Sequence, residues 1–252
     1  MSQLESVDNA LRLILLLGGG GRFGVTEVAR ELSVAPSTAH RLLATLLERG
    51  FAEQAPDRSY GAGPALQSMR RDGLQRTVLI DAARAAFERL VHDIGETAHL
   101  VVLVGAQIHF LYSVEGDNLL RIGSREGQIM PAHLSASGRV LLAGLGRERL
   151  AGIFADPEDD AARSAPADAE PVDLDRLIRE IGQVRRRGFA VNRNGTERGV
   201  SAVAVPISDG ERILAAISVS VPTVRFTSTR IPELIGPMHQ AAERIRTELA
   251  VR

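Results

Sequence analysis

The chain of 252 residues contains no cysteine, which excludes disulfide bonds and thiolate metal sites. It contains no lysine either, so all 30 of its basic residues are arginine. A coding bias accounts for such a composition, yet it also gives every cation the planar fork suited to bidentate contacts. No apolar run approaches the roughly 18 residues of a membrane span, and Leu11–Leu17 falls well short. No basic start leads into a long apolar stretch with a small-residue cleavage site, so a cytoplasmic protein is expected, with no membrane partner. The net charge of −1 argues against a chain that coats nucleic acid through bulk electrostatics. What is present is ordinary globular material, 44% hydrophobic, enough for one large or two ordinary domains.

The most informative stretch runs from Thr26 to Gly50, TEVARELSVAPSTAHRLLATLLERG. Thr26 is placed to cap a helix whose apolar residues Val28, Ala29 and Leu32 recur at helical spacing, with Glu27 in the first turn. Ser33-Val34-Ala35 makes a short turn, and Pro36 suits the first position of a second helix. There Ala39, Leu42, Leu43, Leu46 and Leu47 share a face, and Gly50 stops the helix. This is a helix-turn-helix pattern. Ser37, Thr38, His40, Arg41 and Thr45 lie off the apolar stripe and carry groups that bond phosphates or base edges. With Thr26 they are the candidate DNA contacts.

Two short helices and a turn also occur in domains that never meet DNA, but the next residues favour a reading head. Phe51–Gln54 reads as a strand, Ala55-Pro56-Asp57-Arg58 as a turn and Ser59–Ala62 as a return strand, a wing with Arg58 at its tip. Ahead of it, Ser6 is expected to cap a helix whose stripe of Val7, Leu11, Ile14 and Leu15 packs behind the head. Within residues 1–71, eight arginines oppose seven acids, a balance of +1. Affinity for a double-stranded operator must therefore come from placement of a few arginines and from their doubling in a homodimer.

Residues 1–65 are thus expected to form a winged helix-turn-helix, 66–76 a linker and 77–252 a second domain. In the latter, Thr77–Ile94 is helical, His99–Val104 and Ile108–Val114 form a hairpin, and Leu119–Gly123 adds a third strand. A small-residue helix begins at Ser135 or Ser137, and Arg147–Phe154 is a short successor. The acidic, Ala- and Pro-rich stretch 156–171 reads as a surface loop. Asp173 caps a helix that ends at Arg185-Arg186-Arg187-Gly188, where cations suit the dipole. Strands Val200–Ile207 and Ile213–Val221 flank the turn Ser208-Asp209-Gly210-Glu211, and a helix from about Ser228 to Val251 follows. The fold class is α+β, with helices around an antiparallel sheet.

Catalytic and metal chemistry find no support. The six histidines, 40, 92, 99, 109, 133 and 239, lack the close pair spacing of metal-binding helices, and neither a G-x-S-x-G elbow nor a phosphate loop ending in G-K occurs. No cofactor is expected.

The motifs STAHRLLATLLERGFAE, IMPAHLSASGRVLLAGL, REIGQVRRRGFAVN and GVSAVAVPISDGERILAAISVSVP, in this order, resemble the IclR family of bacterial transcriptional regulators over nearly the whole chain. The resemblance implies a GAF-like C-terminal domain that binds a small-molecule effector, assembled as dimers or dimers of dimers. Carried over position by position, it places the effector site at Ala136, Ser137, Asn192, Ala202, Ser218 and Ser220. Relatives that bind small carboxylates commonly have an acid at the position of Asn192 and a cysteine at that of Ala202, and this chain departs at both. The residues themselves point to the same region. Alternation in Ile217–Val221 sends Ser218 and Ser220 to one face, which is either a solvated outer face or a binding surface. Ser135–Gly138 at a helix start offers free amides to an anion such as the carboxylate of an organic acid. Three functions follow: a ligand-responsive regulator of a catabolic pathway, a constitutive DNA-binding regulator with a ligand-blind assembly domain, and an enzyme acting on a small acid. The last lacks any nucleophile–base pair.

Overall fold

The computed structural model describes residues 4–154, 172–210 and 212–251. The expected loop at 156–171 and Glu211 of the expected turn lie outside the described residues. The chain divides into two compact units, Met1–Thr77 and Val78–Arg252.

In the first unit, α1 (Glu5–Gly18) packs on α2 (Val25–Leu32) and α3 (Pro36–Glu48), followed by a two-stranded wing of β1 (Ala52–Gln54) and β2 (Tyr60–Ala62). Val28, Ala29 and Leu32 of α2 meet Ala39, Leu43 and Leu46 of α3 in its core, as their spacing predicts. Two local expectations fail at helix starts. Glu27 accepts the Gly24 N–H at 2.8 Å, so Gly24 caps α2 and Thr26 sits inside the first turn. Leu4, without a side-chain cap, precedes α1, so Ser6 is likewise inside the helix. The buried stripe of α1 also differs: Leu13 and Leu17 are fully buried beside Asn9, whereas Val7, Leu11 and Leu15 are 51%, 56% and 76% exposed. The sequence LRLILLL is apolar on most of its circumference, so periodicity alone admits more than one inward face.

A 31-residue helix, α4 (Pro64–Ile94), runs through the division between the units. Residues 66–76, expected as a linker, are helical. Pro64 occupies the first position, where its missing N–H costs nothing, and an exposed Gly73 is tolerated for about 1 kcal/mol among strong helix formers. Just before it, a Cβ on Gly63 would lie 2.5 Å from the carbonyl oxygens of both Ala52 and Gly50. Gly63→Ala should therefore push the wing off its support, cost about 1–3 kcal/mol and weaken DNA binding. Thermal melts and gel-shift titration check this; wild-type values in both would refute it.

The second unit is built on a six-stranded antiparallel sheet in the order β5-β4-β3-β8-β7-β6. Its strands are β3 (Thr97–Val104), β4 (Gln107–Val114), β5 (Ile129–Pro131), β6 (Ala190–Arg193), β7 (Val200–Asp209) and β8 (Arg212–Pro222). Both expected hairpins form, the first turning at Gly105 with φ +58°. The expected third strand at Leu119–Gly123 does not. Residues 115–128 are loop, with Leu119 and Leu120 exposed, and β5 takes the edge instead. One face of the sheet, with Ala98, Leu100, Val205, Ile217 and Val219, packs on α4 and on α8 (Arg230–Val251). The other face, with Val101, Ala204 and Ala216, packs on α5 (Ala136–Ala143), α6 (Arg147–Phe154) and α7 (Leu174–Arg187). Helices on both sides leave neither face of the central strands solvated, which rules out the solvated reading of Ser218 and Ser220.

The helix ends of this layer follow their capping residues. Ser135 Oγ accepts the Gly138 N–H at 2.9 Å and Asp173 Oδ1 the Arg176 N–H at 2.9 Å. Arg185 donates to the carbonyls of Ala143, at 2.8 Å, and Leu145, at 2.5 Å, satisfying the C-terminal end of α5.

Candidate nucleic-acid interface and ligand site

In the first unit, α3 turns Ser37, Thr38, His40, Arg41 and Thr45 to the surface, opposite its buried Ala39, Leu43 and Leu46. Pro36 at the first helical position leaves the N-terminal amides and the exposed Ser37 and Thr38 at one end of this face. The Thr45 hydroxyl donates to the Arg41 carbonyl at 3.0 Å, so its lone pairs are what it offers outward. Arg41 makes no ion pair among the described residues.

The wing tip is set by Asp57, whose Oδ1 accepts from both the backbone and the hydroxyl of Ser59, at 2.9 and 2.6 Å. These bonds hold the Asp57 carboxyl below its usual range. They also set up the next residue: Arg58, exposed at the tip, has φ +66° and donates its N–H to Ala55 O at 2.9 Å. Sequence reasoning missed Arg22, which donates to Ser59 Oγ and Glu53 Oε1, both at 3.1 Å, and so fixes the wing to the segment before α2. Its guanidinium is spent within the fold, which leaves Arg41 and Arg58 as the outward cations of helix and wing. Thr26 is exposed on α2, apart from the α3 face in sequence, and its hydroxyl has no hydrogen-bond partner among the described residues.

In the second unit the register places Asn192, Ala202, Ser220 and Thr97 in one row across β6, β7, β8 and β3. Ala190, Ala204, Ser218 and His99 form the next row on the same face. The residues named from sequence therefore converge: Asn192, Ser218 and Ser220 are buried on the face that α5 covers, and Ala136 and Ser137, also buried, begin that helix. The Ala136 and Ser137 amides take no partner among the described residues, and the α5 dipole favours an anion there.

Asn192 is already committed. Its Nδ2 donates to Leu134 O at 2.9 Å and its Oδ1 accepts the Gly195 N–H at 2.9 Å, which ties β6 to the turn that precedes α5. It is a positioning residue for the helix start. Ala202 is partly exposed, a small side chain in the row that bears Ser220.

The same face carries residues that sequence reasoning left out. Thr97, fully buried, extends the Ser220 row onto β3. His99 is fully buried, its Nδ1 2.9 Å from Ser113 Oγ and its ring edge-on to Phe110 at 5.4 Å. Its Nε2 has no hydrogen-bond partner among the described residues. A polar residue alternating with apolar ones in Thr97-Ala98-His99-Leu100 was the available signal. Burial pushes the His99 imidazole down to about 3, the Arg125 cation adds to this and Glu115 opposes it, so the ring is neutral at pH 7. Arg125 itself has a largely buried side chain, paired with Glu197 and bonded to Gln128 Oε1 at 3.3 Å.

A pH dependence follows. A histidine in the unfolded chain titrates near 6.5, so below that pH the unfolded state binds a proton that the folded state refuses until about pH 3. Stability is unaffected above the unfolded value and is lost as pH falls, by up to about 1.4 kcal/mol per pH unit from this group. His99→Phe should lose stability less steeply than wild type between about pH 6 and 4 in denaturant melts. Equal slopes would refute the assignment.

No helix among the described residues is long and apolar enough to cross a membrane, and no cluster of three metal-ligating side chains occurs among them. Comparison with known proteins gives two family matches: the IclR helix-turn-helix domain over residues 6–56 and the bacterial transcriptional regulator IclR C-terminal domain over residues 72–247. The HTH-type transcriptional regulator BhcR of Paracoccus denitrificans is 30% identical, covering 99% of this chain and 88% of its own. A crystal structure of an ICLR transcriptional regulator from Silicibacter sp. superposes with a TM-score of 0.62 at 28% identity, covering 97% of this chain and 96% of that one. An IclR homolog from Microbacterium hydrocarbonoxydans, complexed with 4-hydroxybenzoate, shares the fold with a TM-score of 0.60 at 23% identity and full coverage of both chains, 100% each.

Proposed function

The chain belongs to the IclR family of bacterial transcriptional regulators, and from that premise we propose that it is a cytoplasmic, ligand-responsive regulator whose second unit senses an organic acid. DNA binding is the family's property; the effector, the pathway and the residue roles are our reading. The observation that carries it is the buried polar row. Ser218 and Ser220, each 4% exposed, stand with Thr97, His99 and Asn192 on the face that α5 covers, and α5 starts with the free amides of Ala136 and Ser137. Hydroxyls on a covered face can bond a ligand oxygen, and the start of the helix that covers them favours an anion.

In this reading the carboxylate sits at the start of α5, Ser218 and Ser220 orient it, Asn192 holds that helix start in place, and Ala202 leaves room for a body larger than two or three carbons. The Microbacterium homolog's 4-hydroxybenzoate supports including aromatic acids among the candidates. Ser37, Thr38, His40 and Arg41 read the operator while Thr45, Thr26 and Arg58 support binding through the backbone. A homodimer completes it, since one head with few outward cations neutralises too few phosphates for tight binding at physiological salt. A ligand switches such a protein by binding two arrangements unequally, ordinarily by about 1–3 kcal/mol.

The test is calorimetry of the full chain against aliphatic and aromatic acids, 4-hydroxybenzoate included, repeated with Ser218→Ala and Ser220→Ala. Loss of affinity in both variants supports the site, and undiminished binding places it elsewhere. Ligand-insensitive DNA binding across the panel would favour a constitutive regulator.

A further inference from the structure

Resting on the reading that the buried polar row binds an organic acid, we propose that His99 is a further effector-contacting residue, whose Nε2 bonds an uncharged oxygen of the ligand. The effector is then a hydroxy- or oxo-acid, and His99 selects it over the plain acid.

Three observations converge. His99 is the register partner of Ser218, and Thr97 of Ser220, so the imidazole shares a face with both hydroxyls, on strands whose backbones lie about 4.8 Å apart. The ring is held on two sides, by Ser113 Oγ at Nδ1 and by the Phe110 ring. Its remaining polar atom, Nε2, is buried without a partner among the described residues. Buried polar atoms are nearly always bonded, and one that is not, on a ring this well fixed, is suited to bond a ligand oxygen. Whichever tautomer the Ser113 bond selects, Nε2 offers either an N–H or a lone pair, and a hydroxyl suits both, a carbonyl the first.

Charge assigns which end of the ligand goes where. The His99 ring is neutral, so it gains little from a carboxylate, whereas the α5 start offers free amides and a favourable dipole. The α5 start is tied to β6 through Asn192, and β3 lies three strands from β6, roughly 14 Å between backbones. His99 therefore takes a ligand oxygen apart from the carboxylate, and ω-hydroxy and para-hydroxy acids are the probes that hold the two groups furthest apart. His133 also has an unpartnered nitrogen, Nδ1, but it adjoins Phe154 at the edge of the described residues and plays no part in this proposal.

The experiment is calorimetry of the full-length protein with matched pairs: hexanoate against 6-hydroxyhexanoate, and phenylacetate against 4-hydroxyphenylacetate. Wild type should bind the oxygenated member of at least one pair about tenfold or more tightly. His99→Phe should abolish that preference and keep affinity for the plain acid. Equal binding of both members by wild type, or a preference that survives in His99→Phe, overturns the role of His99 and leaves the acid site standing. Failure of every acid to bind wild type overturns both. Should His99→Phe not fold, nitrogen-15 histidine spectra of wild type decide: the His99 Nε2 resonance must move with the hydroxy-acid and stay with its plain partner, and the reverse refutes the proposal.

Discussion

Arg225→Ala is expected to destabilise the second unit by about 3–5 kcal/mol, enough to lower its melting temperature by roughly 10 °C. Glu96 has a side chain only 2% exposed, and its carboxylate is held by Arg225 in a two-pronged pair, Nε to Oε1 at 3.1 Å and Nη2 to Oε2 at 2.8 Å. Removing the guanidinium leaves a buried charge with nothing to offset its lost hydration, which costs more than the intact pair contributes. Glu96 immediately precedes Thr97, so the lesion should also loosen the β3 end of the row that holds Thr97 and Ser220. Changing both residues, Glu96→Ala with Arg225→Ala, should cost less than the two single changes added together, because the orphaned charge is gone. Thermal melts of the three variants check this; strict additivity would mean that the pair is not energetically coupled.

The second large effect concerns operator reading. Arg41→Ala should weaken binding to the cognate operator by about 1–3 kcal/mol, roughly 5- to 150-fold, and relax the preference at one base position. Arg58→Ala should weaken every sequence alike and flatten the salt dependence, since a wing-tip cation meets phosphate. The distinction rests on placement. Arg41 lies on the exposed face of α3 among Ser37, Thr38 and His40, while Arg58 sits at a hairpin tip shaped by Asp57 and Ser59. Binding titrations of both variants on specific and scrambled duplexes separate the two roles. If Arg41→Ala bound its operator as wild type does, the recognition face would lie elsewhere.

The sequence by itself determined the winged helix-turn-helix, both long hairpins, the cap at Asp173 and the family, and it left the start of α5 between Ser135 and Ser137. Each depends on residues within a few positions of one another: the spacing of Val28, Ala29 and Leu32, proline at the start of α3, a glycine at a turn. The helical state of 66–76 was equally local but masked by Gly and Pro, whose meaning changes with position in a helix. Only the tertiary structure decided which face of α1 is buried, because an apolar helix takes its inward side from what packs on it. It alone decided that β5 rather than 119–123 extends the sheet, that Asn192 is a clamp, and that a His99 nitrogen without a partner among the described residues is buried beside Ser218's strand. Glu96 meets Arg225 across 129 positions of chain, and His99 meets Ser113 across 14. Burial and pairing are properties of groups brought together by the whole sheet, and no short window of sequence contains both partners.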